Sequence, residues 1–246
     1  MPPFDLTVLQ RFAWLRQRRH CQLCDETTDH PTHSICTACE SELPWLGAHC
    51  QICAVPLPAH GMICGACQSK PPSFSRVEAP WRYAFPVDNL ITRFKHQAQW
   101  PHGRLLAELL SEHLHHAFDE GLPRPQALLP VPLARKRQRQ RGFNQAQMLA
   151  DWLVSSLELP VRHDWLLRHL DTPAQQGLDA ATRKRNLRQA FTLDAKAQVA
   201  GCHLALVDDV LTTGATAAML AQLLRRAGAL RVDVYCLART PRPGDT

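Results

Sequence analysis

The segment Leu204–Ala217, LALVDDVLTTGATA, constrains the fold more than any other stretch of this 246-residue chain, because it sets a strand, an acid pair and a helix start side by side. Leu204, Ala205, Leu206 and Val207 form a continuous apolar run, the pattern of a short strand buried on both faces. Met219, Leu220, Leu223 and Leu224 then recur at helical spacing within Ala217–Ala227. The turn between them therefore joins a strand's carboxyl end to a helix's amino end. A helix N-terminus leaves N–H groups unpaired and carries partial positive charge, so Thr213, Gly214, Ala215 and Thr216 can wrap an anion, with Gly214 permitting close approach. Asp208 and Asp209, at the strand's end, are placed to accept hydrogen bonds from sugar hydroxyls or to hold magnesium through water. An ordinary Thr-capped turn with solvated acids would require fewer coincidences of residue type. No Lys follows the glycine and GxGxxG is absent, so neither a Walker loop nor a dinucleotide fingerprint is present.

Elsewhere beyond residue 76, strand and helix patterns alternate. Val77–Phe85 and Gln126–Val131 read as strands, as does Val232–Ala238. Val87–Ala98, Arg104–Phe118 and Asn144–Leu157 read as helices, the last capped by Asn144 with Met148, Leu149, Trp152 and Leu153 inward. Such alternation implies a parallel sheet with helices on both faces, whose ligands bind at the strands' carboxyl ends. After the Pro-Val-Pro strand end comes a basic loop with Arg135, Lys136, Arg137, Arg139 and Arg141. It can hold pyrophosphate, or it can be a solvated charge run. Arg168–Ala190 is polar and weakly periodic, and its Arg183, Lys184, Arg185 and Arg188 can close over a bound polyphosphate.

Eight of the ten cysteines form four Cys-x-x-Cys pairs: Cys21 and Cys24, Cys36 and Cys39, Cys50 and Cys53, Cys64 and Cys67. One such turn delivers two thiolates to an ion, and tetrahedral zinc takes four soft ligands, so eight ligands make two structural sites. Intervals of eleven, ten and ten residues suit two consecutive ribbons, although an interleaved pairing also satisfies the spacing. Five nearby histidines (His20, His30, His33, His49 and His60) read as surface residues, because the thiols already complete both sites. Cys202 and Cys236 read as buried small residues. Counting eight thiolates and two zinc ions lowers the formal charge from +6 to about +2, so overall basicity says little about nucleic acid. No run approaches the roughly 20 apolar residues of a membrane span, and the first twenty residues carry charges throughout, so a cytoplasmic location without membrane insertion is expected.

The expected organisation is an amphipathic helix (Leu6, Leu9, Phe12, Ala13, Leu15) and a double zinc-ribbon module within residues 1–68. A Pro/Ser-rich linker at 69–75, an α/β domain at 76–240 and a tail at 241–246 complete it.

The apolar run, paired acids and Thr-Thr-Gly-x-Thr resemble the 5-phosphoribosyl-1-pyrophosphate (PRPP) motif of type I phosphoribosyltransferases. Together with the cysteine pairs, PVPL followed by RGFNQA, and QQGLDAATRKRN, they resemble the ComF family, including its GntX-type members, over essentially the whole chain. That resemblance implies a type I phosphoribosyltransferase fold and an association with natural competence, the import and use of extracellular DNA. It implies that Asp208 and Asp209 bind the ribose hydroxyls and that Thr212, Thr213, Gly214, Ala215 and Thr216 bind the 5-phosphate. Leu133 and Arg135 would begin the pyrophosphate loop, and residues 175–188, with Arg183, Lys184 and Arg185, the flexible hood. The C-terminal part also resembles the synthase half of glutamine amidophosphoribosyltransferase, but the N-terminal nucleophile of that enzyme's glutaminase half has no counterpart behind Met1 and Pro2.

The expectation is a transferase that binds Mg2+ with PRPP and displaces pyrophosphate, with Asp208 and Asp209 as the catalytic carboxylates and an acceptor that no motif names. The alternative is a non-catalytic protein whose zinc ribbons and basic loops contact single-stranded DNA or a ComFA-type helicase. A third possibility confines the zinc module to stabilising the fold.

Overall fold

The computed structural model describes residues 19–30, 32–169 and 190–241. They fall into two compact units that meet in sequence between Glu42 and Leu43. The helix expected over residues 5–18 lies outside the described residues.

In the described residues of the first unit the chain folds around Cys21, Cys24, Cys36 and Cys39 and forms a short helix, α1 (Thr37–Ser41). Asp29 accepts a hydrogen bond from the Thr37 amide at 2.9 Å, and the Thr28 hydroxyl donates to the Ile35 carbonyl at 2.7 Å. Ile35 is fully buried, and His33 is also buried, stacked on His30 at a ring separation of 4.5 Å. His33 thus departs from the surface position expected of it: with so few apolar side chains available, its ring supplies bulk beside Ile35.

The second unit starts with the second cysteine cluster and helix α2 (Gly65–Ser69). It continues through β1 (Arg76–Glu78), β2 (Trp81–Arg82), α3 (Val87–Gln97), α4 (Trp100–Asp119) and β3 (Ala127–Pro130). Then follow α5 (Arg135–Arg141), α6 (Gln145–Leu157), the antiparallel hairpin β4 (Leu166–Arg168) and β5 (Phe191–Leu193), β6 (His203–Leu211), α7 (Ala215–Arg226) and β7 (Arg231–Arg239).

The main sheet is parallel, in the order β1-β7-β6-β3, with β2 continuing alongside β7. The single strand expected over Val77–Phe85 is broken because Pro80 has no N–H to donate. Its carbonyl instead accepts from the Leu46 amide of the second ribbon at 2.7 Å.

The pleat sends Leu204, Leu206, Val232 and Val234 into one core cluster with Leu220 and Leu224 of α7. The alternate residues face α4 and α6, whose Leu106, Leu110, Leu149 and Leu153 are fully buried. Each such leucine contributes about 1.5–3 kcal/mol, so β6 and β7, covered on both faces, carry most of the sheet's stability. At the amino end of these strands, Asp233 is fully buried and offset by His203 at 2.8 Å and Arg231 at 3.0 Å.

Helices α3 and α4 pack through Phe94, which is fully buried with its ring 5.6 Å from Phe143 and 5.7 Å from Trp152. Gly103 permits this contact, since a Cβ there would stand 2.6 Å from the Phe94 ring. Gly103→Ala should therefore destabilise the protein. Overpacking costs about 1–3 kcal/mol and outweighs the roughly 1 kcal/mol that Ala gains over Gly in a helix. Denaturant unfolding of the zinc-loaded protein measures the difference.

Candidate functional site

Strand β3 ends at Pro130, opposite Val207, and the Val131 amide donates to the Val207 carbonyl at 2.9 Å. Strand β6 runs on to Leu211, paired on that stretch, among the described residues, with β7 alone. Asp208 and Asp209 thus lie within the strand and not at its end, where the sequence had placed them. They are nonetheless beyond the reach of β3, where β6 has a neighbour on only one side.

Consecutive strand residues point to opposite faces, so the two acids meet different surroundings. Asp209 is buried; one carboxylate oxygen accepts from the Val210 amide at 2.7 Å and the other pairs with the Lys95 ammonium of α3 at 2.8 Å. Asp209 also attracts the Arg141 guanidinium, offsetting the burial that pulls Arg141 below its ordinary value. Asp208 is half-buried and accepts from the Asp209 amide at 2.9 Å. Burial first, and then the Asp209 charge, push its carboxyl up to about 8. Among the described residues, no ion pair involves Asp208.

Lys95 escaped the sequence reading. It stands in the last turn of a helix, where a basic side chain is ordinary, and only the fold brings it to Asp209.

Past Leu211 the chain turns into α7 through Gly214, the helix N-cap at φ 74°. The space around Gly214 would admit a Cβ; it is the left-handed backbone that requires glycine. The Thr213 hydroxyl accepts from the Ala215 amide at 3.3 Å. Thr212, Thr213 and Ala215 are exposed and Thr216 is half-buried, so the first turn of α7 is open to a ligand.

The basic segment is the short helix α5, not a loop. Arg, Lys and Gln are good helix formers, and reading RKRQRQR by charge alone overlooked that propensity. Gly142, at φ 84°, ends the helix. Asn144 then caps α6 by accepting from the Ala146 amide at 3.0 Å, while its own amide donates to the Val131 carbonyl at 3.1 Å.

Helix geometry divides the basic residues. Leu133 and Arg135 line a pocket of about 250 Å³ with Asn144 and Arg168. Arg137 and Arg141 line a separate cleft of about 750 Å³ with Lys95 and His96. Arg183, Lys184 and Arg185 lie outside the described residues; the hairpin β4–β5 brackets their segment.

Both cysteine clusters have the pairing of consecutive ribbons, the four sulfurs of each lying within 4.8 Å of one another. A zinc–sulfur length of about 2.3 Å gives tetrahedral edges of about 3.8 Å. The Cys24–Cys36 and Cys53–Cys64 sulfur separations are 3.8 and 3.7 Å, so the residues fit the ion and are too far apart for disulfides. All four sulfur ligands of the second cluster sit in buried residues.

Comparison with known proteins identifies relatives of this chain. A double zinc ribbon domain model matches residues 17–68. DNA utilization protein YhgH of Salmonella typhi is 36% identical over 221 residues, covering 89% of this chain and 96% of that protein. Competence protein F of Haemophilus influenzae is 34% identical over the same shares of each chain. A solved glutamine PRPP amidotransferase from B. subtilis, complexed with ADP and GMP, is similar over 55% of this chain and 25% of that one, at 18% identity and a TM-score of 0.37. Sequence identity of 34–36% with proteins covered almost end to end establishes the lineage: the chain belongs to the ComF family, the family of DNA utilization protein YhgH and competence protein F.

Proposed function

We propose that this protein binds Mg2+ with PRPP at the carboxyl end of β3 and β6 and acts as a phosphoribosyltransferase in the use of imported DNA. One observation carries the reading: an acid pair, an open helix N-terminus and arginine-lined walls converge where β6 outruns β3. The amides and hydroxyls of Thr212–Thr216 would take the 5-phosphate, and Asp208 and Asp209 the ribose hydroxyls. Arg135 from one side, and Arg137 and Arg141 from the other, would face pyrophosphate. In the transfer, the bond between the anomeric carbon and a pyrophosphate oxygen breaks, the electron pair leaves with pyrophosphate, and an acceptor nucleophile bonds to that carbon. The chain's part is electrostatic: carboxylates steady the sugar as positive charge develops, and cations receive the departing anion.

Magnesium would sit at Asp208, an acid with no ion-pair partner among the described residues that would give up its proton to the ion, and when bound it would supply charge neutralisation for pyrophosphate. Eight metal-binding thiolates also suit a reducing compartment, consistent with a cytoplasmic location.

The exposed basic helix supports a second role, contact with single-stranded DNA, either alone or beside a helicase partner of the ComFA type. Arg135, Lys136, Arg137 and Arg139 are all exposed. Replacing them with neutral residues should flatten the log–log salt dependence of single-strand binding by about 0.7 for each DNA phosphate that no longer meets a cation. Filter binding across a salt series reads this slope, and an unchanged slope removes the helix from the DNA interface.

The PRPP reading is tested by Asp208→Asn combined with Asp209→Asn, which should abolish magnesium-dependent PRPP binding in calorimetry while the circular dichroism spectrum is kept. Unaltered affinity in a folded double variant would reject the site.

Asp208 also predicts a pH effect. The folded protein holds this proton up to about pH 8, whereas the unfolded chain releases it near 3.8, so the folded state binds more protons across that window and loses stability as pH rises. Asp208→Asn removes the loss. Its melting-temperature advantage over the wild type should be negligible near pH 4 and grow toward pH 8, as thermal scans in matched buffers would show.

A further inference from the structure

Arg239, the last residue of β7, is 2% exposed. A guanidinium so placed is costly unless its donors are satisfied, and here its partners are backbone carbonyls. It donates to Leu211 at 3.0 Å and Thr212 at 2.5 Å, to Thr240, and to Cys53 at 2.8 Å. The first two carbonyls open the Thr212–Thr216 loop. The Cys53 carbonyl belongs to the second zinc ribbon, distant in sequence. Among the described residues no carboxylate pairs with Arg239, so its burial is organised by these two backbone segments.

The position of the Cys53 carbonyl is set by the metal knuckle. Cys50 accepts from the Ala54 amide at 2.9 Å and donates to Val55 at 2.8 Å, while Ala54 adopts φ 55°, a left-handed turn that an alanine enters only under constraint. The Cys64 amide donates to the Cys50 sulfur at 3.3 Å, tying the two halves of the cluster together. The ribbon also stands directly behind the loop. Cys53, Cys67, Phe74, Leu211, Gly214 and Arg239 line one small cavity of about 160 Å³.

We propose that Arg239 is a positioning residue through which metal in the second ribbon, Cys50, Cys53, Cys64 and Cys67, sets the affinity of the Thr212–Thr216 loop for a phosphate monoester. A planar fork with five donors can hold carbonyls on both sides at once, and a lysine cannot. When the metal leaves, the knuckle loses its cross-link, the Cys53 carbonyl leaves the fork, and the Leu211 and Thr212 carbonyls lose the partner that orients the helix N-terminus behind them. The inference rests on reading that loop as a phosphate site. It makes the second ribbon part of the ligand-binding apparatus, and assigns no such part to the first.

The test uses the full chain, with zinc content measured alongside ribose-5-phosphate and PRPP binding by calorimetry. Cys64→Ser should remove one zinc and weaken both ligands about tenfold, the usual cost of disrupting a buried hydrogen-bonded group, whereas Cys24→Ser should remove one zinc with a much smaller effect. Arg239→Lys should keep both zinc ions yet bind as weakly as Cys64→Ser, and combining the two substitutions should cost little more than either alone. Equal effects of Cys64→Ser and Cys24→Ser, full affinity in Arg239→Lys, or strict additivity would overturn the proposal. If variants misfold, hydrogen exchange on the wild type decides: chelating zinc should deprotect peptides covering Leu211–Thr216, and unchanged protection after zinc loss would overturn it. Absence of ribose-5-phosphate and PRPP binding in the zinc-loaded wild type would defeat the PRPP reading instead, leaving the exchange experiment to decide the coupling.

Discussion

The architecture depends on the unequal length of two neighbouring strands. Strand β6 pairs with β3 only as far as Val207, but β7 supports it through Leu211. Those unshared residues include the acid pair, and they deliver the chain to Gly214 in position to start α7. Had β3 been as long as β6, a ladder of hydrogen bonds and another row of side chains would cover Asp208 and Asp209. A short edge strand beside a long central one leaves a polar step in an otherwise apolar sheet, where burial raises the stakes of every charge. Lys95 meets that cost for Asp209 within the protein. Among the described residues Asp208 has no such ion-pair partner, and its raised affinity for a proton expresses the same deficit.

What could be read from the chain was what local pattern encodes. The apolar run at Leu204–Val207 announced a two-sided strand, the spacing of Leu220 and Leu224 a helix face, and Asn144 a cap; the cysteine intervals suited the ribbon pairing that the fold adopts. Errors arose where partners distant in sequence decide the outcome. Two aspartates in a row are poor strand formers, yet pairing with β7 at Asp208 and again at Val210 and Leu211 carries the strand through them. A proline interrupts an edge strand because it has no N–H to donate, and its carbonyl turns to the Leu46 amide. RKRQRQR was judged by its charge when its side chains also favour helix.

The candidate site divides in the same way. Asp208, Asp209 and Thr212–Thr216 are contiguous and were legible as a unit. Lys95 and Arg239 carry no motif, since each is an unremarkable basic residue at the end of an element. Their meaning lies in the groups they reach: a buried carboxylate for one, and carbonyls from two separate backbone segments for the other. Arg239 is buried and Lys95 half-buried against a buried partner, unlike the exposed Arg135, Arg137 and Arg139 of α5, and sequence does not display that difference.

The position of β7 has a consequence for how the molecule is made. The strand that touches β1, β2 and β6 at once follows all three in sequence and ends at Arg239. During synthesis β1 and β2 emerge long before the strand of the main sheet that pairs with both, and β6 first finds β3. The sheet closes only after β7 has been made and slides between its earlier partners, a non-local step of the kind that slows folding and exposes apolar edges while it is pending. Arg239 arrives at the end of that insertion, so the hydrogen bonds that join the second ribbon to the Thr212–Thr216 loop form only after both segments have already been made.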